Sequence, residues 1–300
     1  MSDKTLQKKD DLYNIKNVLI VGLGLIGGSY AKALKKCGYT IFGTDIDSKA
    51  ITFAKDNNII KDGNTNPKQL IYDADLIVLC LYPQKCYDFI KENYIYFKNQ
   101  LLITDVCGVK NKITQSIFDL IELNNNYKNK QVEFLASHPM AGREVSGIIH
   151  SDENIFINAN FIITPLQSNS IKAIETLKFI AGKMGFGDIS VLSVKQHDEI
   201  IGYVSQLTHT IAVALMLAND SENLSKYTGD SFRDLTRIAK INENLWCELF
   251  LSNKEILCDE IDNFIASLNL IKETIKNGNE NQLKELLKKS TERRKLFDKI

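Results

Sequence analysis

Short apolar runs rich in β-branched residues alternate with amphipathic stretches through the first two-thirds of the chain. Near-continuous apolar runs indicate strands buried on both faces of a sheet, and an apolar repeat near 3.6 residues indicates helices. The pattern predicts strands at residues 18–21, 40–44, 76–81, 101–104, 132–136, 161–164 and 189–192. It predicts helices between them at residues 26–36, 48–57, 84–96, 110–123 and 170–184. This alternation favours a parallel sheet covered by helices on both faces.

The pattern changes after residue 194, where helical periodicity continues without a convincing strand. Helices are predicted at residues 196–218, 231–251, 253–277 and 280–298, with a loop at 219–229. We therefore predict an α/β protein in which a doubly wound sheet, residues 15–194, is followed by an all-helical domain, residues 195–300. Residues 1–14 are polar and lysine-rich and are expected to form an N-terminal arm.

A glycine-rich loop follows the first predicted strand and opens the first predicted helix. It reads Gly22-Leu23-Gly24-Leu25-Ile26-Gly27. Gly22 permits a tight turn, Gly24 lets the backbone approach a pyrophosphate, and Gly27 lets helix and strand pack closely. The backbone N–H groups of Leu25 and Ile26 begin the helix, whose positive dipole end favours phosphate. Residues 15–194 are therefore predicted to form a Rossmann-like dinucleotide-binding domain.

An aspartate ends the second predicted strand, in Gly43-Thr44-Asp45. Asp45 lies about 20 residues beyond the glycine loop, where a carboxylate can accept hydrogen bonds from both ribose hydroxyls of a dinucleotide and repel a 2′-phosphate. The alternative is that Asp45 only caps the following helix, but Asp47 and Ser48 supply that cap more naturally. Asp45 therefore favours NAD over NADP as the cofactor.

Composition narrows the classes of partner. Lysine and arginine together number 37, as do aspartate and glutamate, so no net charge attracts nucleic acid or an anionic membrane. Apolar runs such as residues 76–81 are far shorter than the roughly 20 residues that cross a bilayer, and the N-terminus lacks the apolar core of a signal peptide. The six cysteines form no Cys-x-x-Cys pair, which favours free thiols. We expect a cytoplasmic protein that acts on a small molecule and holds no metal.

One of the four histidines lies where catalysis is expected in this fold. His138 follows the strand predicted at residues 132–136, and the carboxyl ends of strands in a doubly wound sheet face the ligand crevice. An imidazole with an ordinary pKa near 6.5 suits a general base. A structural turn histidine is the alternative from position alone.

Four stretches carry a resemblance to a known family. They read Asp105-Val106-Cys107-Gly108-Val109-Lys110, His138-Pro139-Met140-Ala141-Gly142-Arg143-Glu144, Ser205-Gln206-Leu207-Thr208-His209 and Phe232-Arg233-Asp234-Leu235-Thr236-Arg237-Ile238-Ala239. Their order and spacing, from about residue 18 to 253, resemble the prephenate dehydrogenase family. The resemblance implies NAD-dependent oxidation and decarboxylation of prephenate to 4-hydroxyphenylpyruvate in tyrosine biosynthesis. Arogenate, which some relatives use, is the alternative substrate.

The resemblance implies a role for individual residues. His138 would be the catalytic base, and Arg237 would hold a substrate carboxylate through its planar guanidinium. Asp234, three residues before Arg237 on one helix face, would orient it, and Arg233 would be a second anchor. In the second domain, Ser205 and His209 would hold the substrate side chain. The alternatives are a surface arginine at position 237 and a structural interhelical histidine at position 209.

Other positions are left open or depart from the family. Gly108 replaces a family serine whose hydroxyl helps to hold the substrate hydroxyl. We hypothesise that Arg143 adds positive charge over the substrate mouth. The pair His197-Asp198 begins a predicted helix, where capping and catalysis are equally plausible, and His150 is interpreted as a surface residue. Trp246 can lie near the partner's active site in the family, but core or interface packing is favoured.

The sequence leaves two alternative functions to consider and indicates an oligomeric state. A β-hydroxyacid dehydrogenase would use a lysine base on the helical domain, whereas this chain offers His138 and the box that contains Arg237. A non-catalytic NAD-binding protein would bind the dinucleotide yet form no NADH from prephenate or arogenate. The apolar stripes of residues 195–300 suit burial against a second copy, so a homodimer is expected. We expect no appended sensing module after the helical domain, and we expect any inhibition by tyrosine to occur within the active site.

Overall fold

The computed structural model describes residues 12–298 and begins with a parallel sheet. Within these residues its strands are β1 (Asn17–Val21), β2 (Thr40–Thr44), β3 (Asp62–Gly63), β4 (Leu76–Leu79), β5 (Leu102–Asp105) and β6 (Glu133–Phe134). They lie in the order β3-β2-β1-β4-β5-β6, and every paired neighbour is parallel. The order reverses between β1 and β4, and ligands bind at such a switch point in doubly wound sheets.

Helices cover both faces of this sheet, as the near-continuous apolar strands predict. They are α1 (Leu25–Lys36), α2 (Ser48–Asp56), α3 (Lys68–Asp73), α4 (Pro83–Asn93) and α5 (Asn111–Lys128). Within β1, Val18 and Ile20 are buried in one apolar cluster, while Leu19 and Val21 are buried in the other. The predicted doubly wound α/β architecture is confirmed.

The parallel sheet ends at β6, and the predicted strands at residues 161–164 and 189–192 do not continue it. A second sheet consists of β7 (Ala136–Met140), β8 (Asn160–Thr164) and β9 (Ile189–Val191), with α6 (Ile171–Met184) between the last two. β7 runs antiparallel to β8, so the expectation of one parallel sheet is wrong here. The predicted strand at residues 132–136 divides into β6 and β7, and His138 lies inside β7 rather than past a strand. An apolar run does not encode the direction of its pairing partner.

After β9, the rest of the described chain is helical. It contains α7 (Val194–Ile201), a π-helical segment (Gly202–Leu207), α8 (Thr208–Leu217), α9 (Asp230–Thr236), α10 (Glu243–Ser252), α11 (Lys254–Lys276) and α12 (Glu280–Lys295). Ser193 begins α7 through a reciprocal capping box with Gln196. The single helix predicted at residues 231–251 is two helices, because a 3₁₀ turn follows α9 and the Asn242 side chain then caps α10 by accepting the Leu245 N–H.

The two ends of the chain and one long helix complete the fold. Most of the predicted arm, residues 1–11 of 1–14, lies outside the described residues, as do 299 and 300. Tyr13 is anchored, because its N–H donates to Thr176 Oγ1 at 2.9 Å and its hydroxyl to Glu133 Oε2 at 2.9 Å.

The continuous helix Val194–Leu217 is long and apolar enough to cross a membrane by length and composition alone. Only 28% of its most apolar window is buried by this chain, so much of its surface is uncovered.

Candidate active site

The glycine loop between β1 and α1 has the shape that a dinucleotide needs. Gly22 has φ +92°, and a Cβ there would lie 2.5 Å from the Cys80 carbonyl oxygen. A Cβ on Gly27 would lie 1.8 Å from the Gly22 oxygen, so both positions require glycine. A Cβ on Gly24 would meet nothing within 4 Å, and Gly24 provides no side-chain cap for α1. The N–H groups at Leu25 and Ile26, which begin α1, are therefore available to phosphate oxygens.

Asp45 lies against this loop. Its Oδ2 accepts the Leu23 N–H at 2.6 Å, and its Oδ1 accepts the Asp47 N–H at 2.8 Å. Asp47 is the residue that caps α2, by accepting the Lys49 N–H at 2.9 Å. Asp45 is therefore not the helix cap, and its carboxylate lies at the end of β2 beside the glycine loop, where a ribose would be bound.

A buried ion pair joins β5 to the strand that carries His138. Lys110 is fully buried, and its Nζ donates to Asp105 Oδ2 at 2.5 Å and to the Ser137 carbonyl oxygen at 2.6 Å. Asp105 Oδ1 in turn accepts the Ser137 N–H at 3.1 Å. Removing one partner of such a pair costs about 3–5 kcal/mol, because the other charge is left buried and unpaired. This ion pair therefore fixes the backbone immediately before His138.

His138 belongs to a chain of three hydrogen-bonded side chains. His138 Nδ1 lies 2.9 Å from His197 Nε2, and His197 Nδ1 lies 2.7 Å from Asp198 Oδ1. A carboxylate only accepts, so His197 Nδ1 carries the hydrogen and neutral His197 has a lone pair at Nε2. That lone pair accepts the hydrogen of His138 Nδ1, which leaves His138 Nε2 unprotonated. The chain therefore selects the tautomer of His138 that can accept a proton at Nε2.

The buried surroundings of His138 also keep its imidazole neutral. Burial lowers the pKa of His138 well below its ordinary value, and neighbouring His197 and the Lys110 ammonium lower it further. Burial also lowers the pKa of His197, although the hydrogen bond to Asp198 opposes this shift. His138 is thus a free base at neutral pH.

His197 and Asp198 are the functional candidates that the sequence left undecided. Ser193 caps α7, whereas Asp198 accepts the Lys110 N–H at 2.9 Å and the Asn111 N–H at 2.7 Å, which begin α5. Asp198 therefore caps a helix of the other domain while it holds His197. The sequence offered only a weak signal for this role. A His-Asp pair on an amphipathic helix is buried when it shares a face with the apolar residues of that helix.

Gly108 and Leu249 lie beside the His138 lone pair. A Cβ on Gly108 would lie 3.8 Å from His138 Nε2 and 3.6 Å from Leu249 Cδ2. Leu249 comes from α10, and its carbonyl oxygen accepts Gln206 Nε2–H at 3.0 Å. Asn253 Nδ2 donates to Gln206 Oε1 at 2.8 Å and to the Asp198 carbonyl oxygen at 3.0 Å. Within the helical domain, these buried amides join the end of α10 and the start of α11 to the helix that carries His197 and Asp198.

An aromatic pair lies one helical turn from Leu249. Trp246 precedes Leu249 by three residues on α10, so both occupy one face of the helix. Its ring stacks on His209, with centroids 3.7 Å apart and planes inclined by 29°. His209 Nδ1 lies 2.8 Å from the Ser205 carbonyl oxygen. The predicted residues Ser205 and His209 are thus together, and Trp246 packs against its own chain's His209.

Arg237 has a different partner from the predicted one. Its Nη1 forms an ion pair with Glu144, six residues after His138, and the guanidinium remains largely exposed. Within residues 12–298, Asp234 makes no ion pair with Arg237, which lies in the 3₁₀ turn after α9. The predicted Asp234–Arg237 contact is therefore wrong. Glu144 is the residue that sequence reasoning missed.

The remaining predicted arginines are also paired. Arg233 donates to Asp230 Oδ1 at 3.0 Å and to the Thr228 carbonyl oxygen at 2.9 Å, and is thus engaged at the start of its own helix. Arg143 donates to Asp152 Oδ2 at 2.7 Å. The positive charge proposed for Arg143 is therefore balanced by an adjacent carboxylate in this structure.

Two family models match the chain. Residues 30–186 match the prephenate dehydrogenase nucleotide-binding domain, and residues 193–289 match the prephenate dehydrogenase dimerization domain. The two matches together cover the sheet domain after the glycine loop and most of the helical domain.

Relatives and solved structures agree with these matches. A prephenate dehydrogenase of Lactococcus lactis is 33% identical over 266 residues, 86% of this chain and 70% of the relative. One of Bacillus subtilis is 30% identical over 263 residues, 85% of this chain and 69% of the relative. The Aquifex aeolicus prephenate dehydrogenase solved with hydroxyphenyl propionate and NAD⁺ has a TM-score of 0.85 at 32% identity, covering 95% of this chain and 99% of that one. With the geometry above, these matches place the chain in the prephenate dehydrogenase family.

Proposed function

We propose that this protein is an NAD-dependent prephenate dehydrogenase, which oxidises and decarboxylates prephenate to 4-hydroxyphenylpyruvate in tyrosine biosynthesis. The observation that carries the proposal is the lone pair of His138 Nε2, which a chain of hydrogen bonds to His197 and Asp198 directs toward Gly108. A neutral imidazole in that position can take a proton from a substrate hydroxyl.

The nucleotide-binding residues fit NAD. The free N–H groups that begin α1, at Leu25 and Ile26, would bind the pyrophosphate, and the open space at Gly24 would admit it. Asp45 would accept hydrogen bonds from the ribose hydroxyls and repel a 2′-phosphate. When bound, NAD supplies the acceptor for the hydride that leaves the substrate carbinol carbon.

In the proposed reaction, the residues of this chain accept one proton from the substrate and return it to the product. His138 Nε2 takes the hydroxyl proton as the carbinol carbon is oxidised to a ketone, and its Nδ1–H bond to His197 stabilises the resulting positive charge. The bond between the ring and its carboxylate then breaks, CO₂ leaves, and the electron pair makes the ring aromatic. His138 returns the proton to the ring oxygen, which becomes the phenol of the product. The balance is prephenate and NAD⁺ to 4-hydroxyphenylpyruvate, CO₂ and NADH.

Cations and the helical domain would hold the substrate. Arg237 is largely exposed and paired with Glu144, and a substrate carboxylate would compete with Glu144 for its guanidinium. His209, stacked on Trp246, would face the substrate side chain from the helical domain, beside Ser205. Arg233 and Asp234 lie near Arg237 in sequence, and Arg143 lies near Glu144. These charged side chains would therefore contribute to the electrostatic potential around the substrate carboxylate.

We also propose that the protein is a cytoplasmic homodimer paired through its helical domain. The match to a dimerization domain supports this, as does the uncovered apolar surface of Val194–Leu217, where Tyr203 and Val204 are exposed. This helix also carries His197, Gln206 and His209, whose hydrogen bonds to protein groups suit a protein interface rather than lipid. Light scattering should give twice the chain mass of 33.9 kDa, and a monomer at micromolar concentration would reject the dimer.

The proposed reaction is tested by mixing the purified protein with NAD and prephenate and following NADH and CO₂ together. Equal amounts of both are expected, with slower turnover when NADP replaces NAD. His138→Asn should bind NAD and lose at least about 10²-fold in kcat. NAD binding without NADH from prephenate or arogenate would favour a non-catalytic protein. Turnover of a short β-hydroxyacid alone would favour that other class of dehydrogenase.

A further inference from the structure

The loop that leads into α4, residues 80–84, lies against the glycine loop. The Cys80 N–H donates to the Val21 carbonyl oxygen at 2.7 Å. A Cβ on Gly22 would lie 2.5 Å from the Cys80 carbonyl oxygen and 3.0 Å from Leu81 Cδ2. The loop follows β4, which pairs with β1 where the strand order reverses. Residues 80–84 therefore form one wall of the crevice in which a dinucleotide would bind.

The cap of α4 comes from the helical domain. Tyr82, the residue before α4, makes no side-chain capping bond, and Pro83 has no N–H to donate. The Gln84 N–H donates to Glu248 Oε1 of α10 at 3.0 Å. A carboxylate is favourable at a helix N-terminus, because the helix dipole places positive partial charge there. Glu248 therefore joins α10 to the wall of the dinucleotide crevice.

The residue after Glu248 lies beside the base. Leu249 Cδ2 would lie 3.6 Å from a Cβ on Gly108, and that Cβ would lie 3.8 Å from His138 Nε2. Consecutive residues of an α-helix point about 100° apart, so one turn of α10 can contact both α4 and the Gly108 segment. This turn of α10 thus connects the wall of the dinucleotide crevice with the surroundings of the proposed base.

Two carboxylates of the helical domain begin helices of the sheet domain. Asp198 accepts the N–H groups of Lys110 and Asn111 at the start of α5, and Glu248 accepts that of Gln84 at the start of α4. These two helices follow the neighbouring strands β4 and β5. A second contact at a separate helix restricts rotation of one domain about the first contact. Glu248 therefore restricts the angle between the domains.

We infer that Glu248 is a positioning residue, which sets the angle at which the helical domain meets the dinucleotide crevice. The inference rests on the proposed function. Hydride transfer needs the substrate carbon and the hydride acceptor in near contact, and a displacement of about 1 Å can cost about 10²-fold in rate. The tautomer of the base depends on His197 and Asp198, and the proposed NAD site consists of the glycine loop and Asp45. Loss of Glu248 should therefore slow turnover while the base and NAD binding remain intact.

The experiment compares the kcat of the full-length protein with that of Glu248→Ala, Glu248→Gln and a control, Glu243→Ala. Alanine removes the acceptor, so kcat should fall by about tenfold or more. Glutamine keeps an acceptor oxygen and loses only the charge, so its kcat should stay within about threefold of the wild-type value. Glu243 is an exposed carboxylate in the first turn of the same helix, and its removal should leave kcat unchanged.

Two further measurements distinguish positioning from other roles of Glu248. Calorimetric titration of Glu248→Ala with NAD should give a Kd within about twofold of the wild-type value, and its stoichiometry counts the folded molecules. The acid limb of kcat/KM for prephenate should keep its midpoint in this variant, because the hydrogen bond between His138 and His197 is unchanged.

The outcomes separate this inference from the proposed function. A wild-type kcat in Glu248→Ala would overturn the positioning role. A Kd for NAD that rises as much as kcat falls would place Glu248 in cofactor binding, and a shifted acid limb would show that it acts through the base. An equal loss in Glu248→Ala and Glu248→Gln would assign the effect to charge rather than to the bond with Gln84. An absence of NADH from the wild-type protein with prephenate and with arogenate would overturn the proposed function, and this inference with it.

Discussion

Asp198 Oδ1 accepts hydrogen bonds from His197 Nδ1 at 2.7 Å and from the Lys110 backbone N–H at 2.9 Å. One carboxylate thus begins α5 in the sheet domain and orients the imidazole that contacts His138. Because Asp198 lies on α7, the geometry of the base depends on the docking of the two domains. His197 is fully buried and has no route to a substrate. It is therefore a positioning residue, and its contribution can be separated from that of the base.

Substituting His197 tests this role. His197→Gln keeps an acceptor for His138 Nδ1–H but cannot share the positive charge, so a fall of about tenfold in kcat is expected. His197→Leu offers no acceptor, leaves the Nδ1–H unpaired and no longer selects the tautomer. Its kcat should fall by about 10²-fold or more, with a smaller change in KM. Steady-state kinetics at neutral pH measure both effects.

A purely structural role for His197 would give a different result. Both variants would then lose melting temperature, while kcat per folded molecule stayed near the wild-type value. Equal kcat values for His197→Gln and His197→Leu would contradict the assigned tautomer of His138, because only one of these side chains can accept its hydrogen.

The lowered pKa of His138 predicts the acid limb of activity. The base must be neutral, so kcat/KM rises with pH through the pKa of His138 in the free enzyme. Burial places this pKa well below its ordinary value, so the limb should be complete below about pH 6.5. The measurement is kcat/KM for prephenate across the acid range. A limb centred at or above the ordinary histidine pKa would contradict the burial of His138 in the free protein.

The same shifts predict how stability depends on pH. His138 and His197 both have lowered pKa values in the folded protein. Below the unfolded pKa, about 6.5, the unfolded chain therefore binds protons that the folded chain excludes. Their contribution to the free energy of unfolding is complete above that pH and is lost as pH falls through it. Denaturant melts from about pH 7.5 to about pH 5 should show this loss, with a shallower slope in His138→Asn.

Local pattern predicted the doubly wound sheet, because the glycine loop, the buried strands and Asp45 each act through the nearby backbone. Contacts set by tertiary packing were not predictable in the same way. The partner of Arg237 is Glu144, 93 residues away in sequence, and nothing local to either residue indicates the other. The antiparallel pairing of β7 and the buried position of His197 also depend on how distant segments meet. The family resemblance supplied candidate residues, and the structure supplied their contacts.

Gly108 offers a test of a position that departs from the family. A Cβ there would meet Leu249 at 3.6 Å, an ordinary contact, so Gly108→Ser should fold without strain. The Cβ lies 3.8 Å from His138 Nε2, so the serine hydroxyl can reach the substrate hydroxyl beside the base. One added hydrogen bond, about 0.5–1.5 kcal/mol, should lower KM for prephenate by about 2- to 12-fold. Gly108→Ala is the matched control, and an equal effect of both substitutions would assign the change to packing.

The ion pair between Arg237 and Glu144 predicts an effect on substrate binding. Both side chains are partly exposed, and a substrate carboxylate would compete with Glu144 for the guanidinium. Exposed ion pairs contribute about 0.2–1 kcal/mol, so Glu144→Gln should lower KM for prephenate by up to about fivefold with little change in kcat. The effect should shrink as salt is added, because salt screens exposed charges. Arg237→Gln should raise KM, and adding Glu144→Gln to it should change nothing further. A KM reduction that persists in the double variant would show that Glu144 acts on the substrate directly rather than through Arg237.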